Sequence, residues 1–115
     1  MHEYSIISDL VLLSEENASA NNASKIFKIT IEVGERSGVE VELLKSAFEA
    51  FKGESEFCKN AILEIKRQEV ILECKNCLAK FSAKSLEYGI CTFCNSNNVD
   101  IVKGRELNLL RLEME

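Results

Sequence analysis

The sequence predicts an α+β fold in which two helices pack on a three-stranded mixed sheet, with a four-cysteine zinc ribbon inserted into the chain. Two segments repeat their apolar residues at helical spacing, and three segments alternate apolar and polar residues as half-buried strands do. Two Cys-x-x-Cys motifs lie between the second and third strand segments, where apolar residues are few. A chain of 115 residues that is 46% apolar can build one small core, and the cysteine-rich segment needs a metal in place of a second one.

The first helix is predicted over residues 5–20, with Ser5 as its N-cap and Asn21 and Asn22 as its stop. Its apolar residues recur at steps of three and four: Ile6, Ile7, Leu10, Val11 and Leu13. A second helix is predicted from Glu40 to about residue 52, after a turn bounded by glycines at residues 34–38. Its apolar residues have the same spacing: Val41, Leu44, Phe48 and Phe51.

Three strands are predicted. The first covers residues 25–33, the second covers 61–72 as one strand that leads into the first Cys-x-x-Cys motif, and the last covers 106–114. If the last strand pairs with the first two, the ribbon is an insertion between strands. The predicted domains are therefore a discontinuous α/β domain, residues 1–72 plus 102–115, and a zinc-ribbon domain, residues 73–101.

Four of the five cysteines have the spacing of a structural zinc site: Cys74, Cys77, Cys91 and Cys94. Two Cys-x-x-Cys turns direct four sulfur atoms at one point, and four cysteine ligands leave no coordination position for a reactive water. A redox-active dithiol and an iron–sulfur cluster are the alternatives for such a pattern. The fifth cysteine, Cys58, is interpreted either as an accessory thiol or as a buried cysteine without a ligand.

The start of the sequence, Met1-His2-Glu3, contains the only histidine of the chain. The Met1 amine, the His2 amide nitrogen and the His2 imidazole can fill three corners of a square plane, the geometry that Ni(II) and Cu(II) favour. The fourth corner is left for the Glu3 amide, a carboxylate or another molecule. The alternative is that His2 is an ordinary residue at the end of a chain.

Charge and composition exclude several functions. The formal net charge of −5 disfavours binding to nucleic acid, and no segment is apolar enough to span a membrane or to serve as a signal peptide. We therefore expect a cytoplasmic protein. Without a second histidine the usual nucleophile–base pairs are unavailable, so we expect no enzymatic activity. Glu40 is either a solvated carboxylate in the first turn of a helix or a neighbour of the amino-terminal site.

Together these motifs resemble the HypA family of hydrogenase maturation proteins over essentially the full chain. The resemblance is carried by five features: MHEYS at residues 1–5, IEVGERS at 31–37, AILEI at 61–65, the spacing of the four cysteines, and the hydrophobic tail. One feature departs from some relatives, which have histidines beside their cysteine pairs. Here Leu78 and Asn95 follow the pairs, so no histidine can exchange into the zinc site within one chain.

The resemblance implies a nickel metallochaperone that delivers Ni²⁺ to the large subunit of [NiFe]-hydrogenase together with a HypB-type GTPase. In some organisms it also implies a contribution to urease maturation. Met1, His2 and Glu3 would bind nickel, with His2 as the essential ligand, and the four cysteines would hold structural Zn²⁺. The Glu3 carboxylate would either bind nickel or steer the partner. A zinc-ribbon adaptor that binds a protein or nucleic acid without nickel is the rival function, and either a monomer or a homodimer agrees with the sequence.

Overall fold

The structure is a computed structural model that describes residues 3–82 and 89–115. Its helices are α1 (Glu3–Ala20), α2 (Val41–Phe51) and a 3₁₀ helix (Lys52–Glu54). Its strands are β1 (Ile26–Gly34), β2 (Ile62–Gln68), β3 (Ile71–Cys74), β4 (Lys80–Ser82), β5 (Val99–Lys103) and β6 (Leu107–Met114). The strands form two three-stranded sheets, in the orders β2-β1-β6 and β4-β3-β5. The predicted α+β class is confirmed.

Contacts divide the chain into two units. The first contains the chain up to Glu32, Val39–Lys66 and Asn108–Glu115, and the second contains Val33–Gly38 and Arg67–Leu107. The domain boundaries inferred from the sequence, 1–72 plus 102–115 and 73–101, stay a prediction. Within residues 3–82 and 89–115, no helix has the length and apolar character needed to cross a membrane.

The helix α1 ends where the sequence predicts but begins earlier. Asn22 has a φ of 56°, and the Ala23 N–H donates to the Ala18 carbonyl at 2.8 Å, which is the Schellman pattern of a helix end. Because α1 already includes Glu3, Ser5 lies inside the first turn and is not the N-cap. The buried side of α1 recurs at helical spacing: Glu3, Ile7, Leu10, Val11, Ser14 and Ala18.

The strand β1 is the central strand of the first sheet. Its start and the chain end exchange hydrogen bonds between Lys25 and Glu115, and its last residue, Gly34, donates to the Glu106 carbonyl, so β1 and β6 run antiparallel. On its other side, the Ile26 N–H donates to the Phe57 carbonyl and the Glu35 N–H donates to the Gln68 carbonyl. Residue numbers therefore increase in the same direction along the two paired segments. The strands β1 and β2 are therefore parallel, and the sheet is mixed.

The core of the first unit is formed by buried side chains of both helices and of β1. The helices α1 and α2 pack on each other, and the rings of Tyr4 and Phe51 meet edge to face with centroids 5.6 Å apart. The apolar side chains buried in this core are Ile7, Leu10 and Val11 from α1, Leu44 and Phe48 from α2, and Ile26, Ile29 and Ile31 from β1.

The prediction of one strand over residues 61–72 is wrong. The chain leaves the first sheet after β2, and β3 belongs to the second sheet. Between them, Val70 is buried and its N–H donates to the Glu35 carboxylate at 2.9 Å, so a side chain takes the place of a strand neighbour. Both flanking segments alternate apolar and polar residues, and periodicity therefore does not reveal the break.

The second sheet is small and antiparallel. The central strand β3 pairs with β4, with Leu72 opposite Phe81, and with β5, with Leu72 opposite Ile101. Val70 and Leu72 are fully buried, as are Cys74 and Cys91. This core is too limited to hold the unit by apolar contacts alone, as the sequence indicates.

Candidate metal centre

The first Cys-x-x-Cys motif forms a tight turn directly after β3. The Cys74 N–H donates to the Ala79 carbonyl at 3.0 Å, and the Leu78 N–H donates to the Cys74 carbonyl at 2.9 Å. Leu78 has a φ of 64°, in the left-handed region that leucine rarely occupies. The turn therefore fixes the relative positions of Cys74 and Cys77 at the cost of backbone strain at Leu78.

The second motif repeats this geometry. The Cys91 N–H donates to the Ser96 carbonyl at 2.8 Å, and the Asn95 N–H donates to the Cys91 carbonyl at 3.0 Å. Asn95, the counterpart of Leu78, has a φ of 60°. Asparagine tolerates this conformation better than leucine does.

The two turns bring four sulfur atoms together. The Cys74 and Cys94 sulfurs lie 3.5 Å apart, the Cys77 and Cys91 sulfurs 3.7 Å apart, and all four lie within 4.8 Å of one another. A tetrahedron of four sulfurs about 2.3 Å from a zinc ion has edges of about 3.8 Å. No disulfide joins these sulfurs. The cluster thus has the dimensions of a four-thiolate metal site.

Backbone amides stabilise the thiolate form at the first cysteine of each turn. The N–H of Cys77 is the main cause that lowers the pKa of Cys74 to about 6, and the Asn76 amide adds to it. At Cys91, the N–H groups of Phe93 and Cys94 donate to the sulfur at 3.3 and 3.4 Å. These hydrogen bonds from backbone N–H groups stabilise the negatively charged thiolate, which is the form that binds a metal.

The second cysteine of each turn behaves differently. The Ser96 amide lowers the pKa of Cys94, but the neighbouring Cys74 sulfur and burial raise it, and the result is about 12. Four thiols this close cannot all ionise without a cation among them, because like charges repel at short range. The donor set therefore fits a thiophilic divalent metal that supplies the missing positive charge.

The cysteines also differ in exposure. Cys74 and Cys91 are fully buried, whereas Cys77 and Cys94 are exposed. One side of the cluster is therefore accessible to solvent. Leu78 and Phe93, which are the sequence neighbours of the exposed cysteines, are each 70% exposed.

The predicted nickel site consists of the first three residues of the sequence. Met1 and His2 are outside the described residues. Glu3 begins α1, is 8% exposed, and its Oε2 accepts a hydrogen bond from the Glu40 N–H at 3.1 Å. The backbone at Glu40 thus lies beside the start of α1, while Glu40 itself is exposed.

Cys58 is not part of the four-cysteine cluster. It is fully buried, and burial raises the pKa of its thiol. Its N–H donates to the Ser55 hydroxyl at 3.2 Å, and that hydroxyl donates to the Glu15 carboxylate at 2.6 Å. The interpretation as a buried cysteine holds.

Sequence patterns do not predict one further set of contacts. Glu35 binds the chain where it enters the second sheet, because its N–H donates to the Gln68 carbonyl at 3.0 Å and its carboxylate accepts from the Val70 N–H. On the other side, the Arg36 N–H donates to the Gly104 carbonyl at 2.7 Å. The segment IEVGERS therefore holds both chain segments that lead into and out of the β4-β3-β5 sheet.

Comparison with known proteins identifies the family. A family model described as hydrogenase/urease nickel incorporation, metallochaperone, HypA matches residues 1–114. The chain belongs to the HypA family. The resemblance drawn from the sequence motifs is thereby confirmed.

Curated HypA relatives match along the whole chain. The hydrogenase maturation factor HypA of Helicobacter hepaticus is 51% identical over 115 residues, which are 100% of this chain and 98% of the relative. The hydrogenase/urease maturation factor HypA of Helicobacter pylori is 49% identical over 114 residues, which are 99% of this chain and 97% of the relative. No large insertion separates these chains.

Solved HypA structures share the fold. The solution structure of the Ni metallochaperone HypA from Helicobacter pylori matches with a TM-score of 0.75 at 49% identity, covering 99% of this chain and 97% of that chain. A structure described as the solution structure of HypA protein matches with a TM-score of 0.81 at 49% identity, covering 100% and 97%. The chain is thus a HypA-family protein with a four-cysteine metal-binding cluster.

Proposed function

We propose that this protein is a nickel metallochaperone that binds Ni²⁺ at its amino terminus and delivers it during maturation of [NiFe]-hydrogenase. One observation carries the proposal: the full-length HypA match includes a Met1-His2-Glu3 start. The solved Helicobacter pylori relative, described as a Ni metallochaperone, supports nickel as the cargo. The protein acts by binding and transfer and has no enzymatic activity of its own.

The nickel ligands are proposed to be the Met1 amine, the His2 amide and imidazole nitrogens, and a donor from Glu3. The three nitrogens of the first two residues close adjacent chelate rings in a square plane. The fourth corner is the position through which an incoming ligand can enter before His2 leaves. Amine, amide and imidazole must be deprotonated to bind, so nickel affinity falls as pH falls.

The four cysteines are proposed to hold structural Zn²⁺. Sulfur separations of 3.5 and 3.7 Å agree with a four-thiolate tetrahedron, and both Cys-x-x-Cys turns place amide N–H groups against sulfur. When bound, zinc joins the two turns and replaces the missing apolar core of the second unit. It offers no open position for substrate, so its contribution is to folding.

The partners are proposed from the family. A HypB-type GTPase is the proposed partner in transfer, and the large subunit of [NiFe]-hydrogenase is the proposed recipient, both in the cytoplasm. Urease maturation is a second candidate role, favoured by the name of the Helicobacter pylori relative, a hydrogenase/urease maturation factor at 49% identity.

A nickel titration of the zinc-loaded protein tests the proposal. One sample has Met1 as its free first residue, and a matched sample has one additional residue before Met1. We expect one equivalent of Ni²⁺ to bind tightly to the first sample only, with the absorption band of square-planar nickel. An extra residue displaces the amine from its chelate ring and leaves zinc, fold and side chains unchanged.

Equal nickel binding by both samples, or by neither, would contradict the amino-terminal site. The zinc-ribbon adaptor without nickel function would then be the better explanation. Because zinc is bound in both samples, its content measured in parallel shows that a lost nickel signal does not arise from unfolding.

A further inference from the structure

The carboxylate of Glu3 connects the two helices of the first unit. It is 8% exposed, although glutamate side chains are rarely buried without a partner. Its Oε2 accepts a hydrogen bond at 3.1 Å from the backbone N–H of Glu40, which is 37 positions away in the sequence. The start of α1 is thereby fixed to the start of α2.

The helix α2 has no side-chain cap of its own. Glu40 is its N-cap residue, with φ −85° and ψ 108°, and makes no side-chain capping bond. In a capping box the third helical residue is a glutamate or glutamine that accepts from the N-cap N–H. Here that position is Leu43, which has no acceptor in its side chain. Glu3 supplies from α1 the acceptor that α2 lacks.

This contact gives the Glu3 carboxylate a role that differs from nickel binding. We propose that the Glu3 side chain has a positioning role: its carboxylate holds the start of α1 against the N-cap of α2 and does not itself bind nickel. The inference rests on the proposed amino-terminal nickel site, to which Glu3 contributes its backbone amide.

The physical benefit is preorganisation. Terminal residues are usually poorly ordered, and ordering them on binding lowers affinity. Met1 and His2 are covalently joined to Glu3, so fixing Glu3 restricts the space that the chelating atoms sample. A carboxylate at a helix N-terminus is also favoured by the helix dipole. Removing the contact should reduce the fraction of molecules whose amino terminus is in a binding-competent conformation. The apparent nickel affinity falls in proportion to that fraction.

Two Glu3 variants separate positioning from ligation. In Glu3→Gln the side-chain amide oxygen can still accept from the Glu40 N–H, so nickel affinity and the absorption band should stay close to wild type. In Glu3→Ala the contact is lost. From the usual effect of losing a capping acceptor, we expect nickel to bind roughly 2- to 30-fold more weakly, with the band at an unchanged wavelength.

Two Glu40 variants test the other partner. Glu40→Ala keeps the backbone N–H, whereas Glu40→Pro removes it, and the φ of −85° is close to what proline allows. We expect Glu40→Pro to weaken nickel binding more than Glu40→Ala does. Because both changes break the same contact, combining Glu3→Ala with Glu40→Pro should weaken binding no further than Glu3→Ala alone.

The experiment uses the full zinc-loaded chain with a free Met1, titrated with Ni²⁺ alone. A shifted band in Glu3→Gln, or a loss of affinity equal to that of Glu3→Ala, would overturn the proposal, because the carboxylate would then bind nickel. Equal effects of Glu40→Ala and Glu40→Pro would also overturn it. The Glu40 amide resonance supplies a nickel-free readout, which should shift further in Glu3→Ala, where the acceptor is lost, than in Glu3→Gln, where an acceptor remains.

These outcomes are distinct from failure of the nickel site itself. If one residue added before Met1 leaves nickel binding unchanged, the amino-terminal chelate is wrong and the nickel part of this inference falls with it. If that addition abolishes binding and the Glu3→Gln band shifts, the chelate stands and only the positioning role is overturned.

Discussion

Gly34 and Gly104 lie in direct backbone contact. A β-carbon added to Gly34 would overlap the carbonyl group of Gly104 and come within 2.9 Å of the Arg105 nitrogen. Gly104 has a φ of 104° and lies against the backbone of Val70. The close approach permits the Arg36 N–H to reach the Gly104 carbonyl at 2.7 Å. Both glycines are therefore required where three segments of the second unit meet.

Replacing Gly34 by alanine should destabilise the protein. The atoms that a β-carbon would meet are backbone atoms, which cannot move aside as a flexible side chain can. We expect Gly34→Ala to lower the free energy of unfolding by about 3 kcal/mol, at the upper end of the range for overpacking. Denaturant unfolding of the zinc-loaded protein measures the change.

Gly53→Ala is the matched control. A β-carbon at Gly53 has nothing within 4 Å, so this substitution should be neutral or slightly stabilising. If both alanine variants unfold at the same denaturant concentration, a β-carbon at residue 34 does not clash with the Gly104 backbone.

Much of this fold follows from local sequence pattern. The two helices and the strands β1 and β6 are predicted within one or two residues, because each has a clear periodicity and an end signal such as Asn22. The four cysteines are also grouped correctly as one cluster, since Cys-x-x-Cys spacing determines the local turn.

The errors concern contacts between distant parts of the chain. The strand predicted over residues 61–72 is divided because Glu35 binds the Val70 N–H, and no pattern near Val70 records a carboxylate 35 residues away. The hydrogen bond between Glu3 and Glu40 likewise joins residues far apart in the sequence. The left-handed conformation of Leu78 has a local origin, because the residue directly after each Cys-x-x-Cys motif has a positive φ. Glycine would be the least strained residue at this position.

Relief of strain at Leu78 should strengthen metal binding. Left-handed backbone costs roughly 1–2 kcal/mol for a residue with a β-carbon, and Leu78 is 70% exposed, so little packing is lost on substitution. We expect Leu78→Gly to tighten zinc binding about fivefold, which corresponds to about 1 kcal/mol. Competition with a chelator of known affinity measures the change.

Asn95→Gly serves as its comparison. Asn95 has nearly the same φ, 60°, but asparagine tolerates that conformation, so the gain should be smaller than at Leu78. A larger gain at Asn95 would show that strain does not limit metal affinity at these turns.

The ion pair between Lys28 and Glu64 should shift the titration of Glu64. The two charged groups lie 2.7 Å apart, and the Lys28 hydrogen bond and charge hold the pKa of Glu64 below its ordinary value of 4.5. A lowered pKa in the folded state means that the pair stabilises the fold above the ordinary pKa. That contribution is lost as pH falls through the folded pKa.

We therefore expect Lys28→Ala to raise the pKa of Glu64 towards 4.5. Carbon-13 NMR of the Glu64 carboxyl group during a pH titration measures the shift. Lys66→Ala is the control, because Lys66 lowers the pKa of Glu64 less than Lys28 does. An equal shift in both variants would argue against a specific pair.

Removal of the metal should expose the cysteines in a defined order. With zinc bound, alkylation by N-ethylmaleimide should be slow at all five thiols. As a chelator withdraws zinc, the four cysteines of the cluster should react first, because the second unit then loses the metal that replaces its apolar core. Cys58 should react last, because it is fully buried in the first unit and burial raises the pKa of its thiol.

Peptide mapping by mass spectrometry at successive times gives the order, and Cys58→Ser provides the four-thiol reference. Early modification of Cys58 would mean that the first unit opens when zinc leaves, so that zinc stabilises both units and not the second alone.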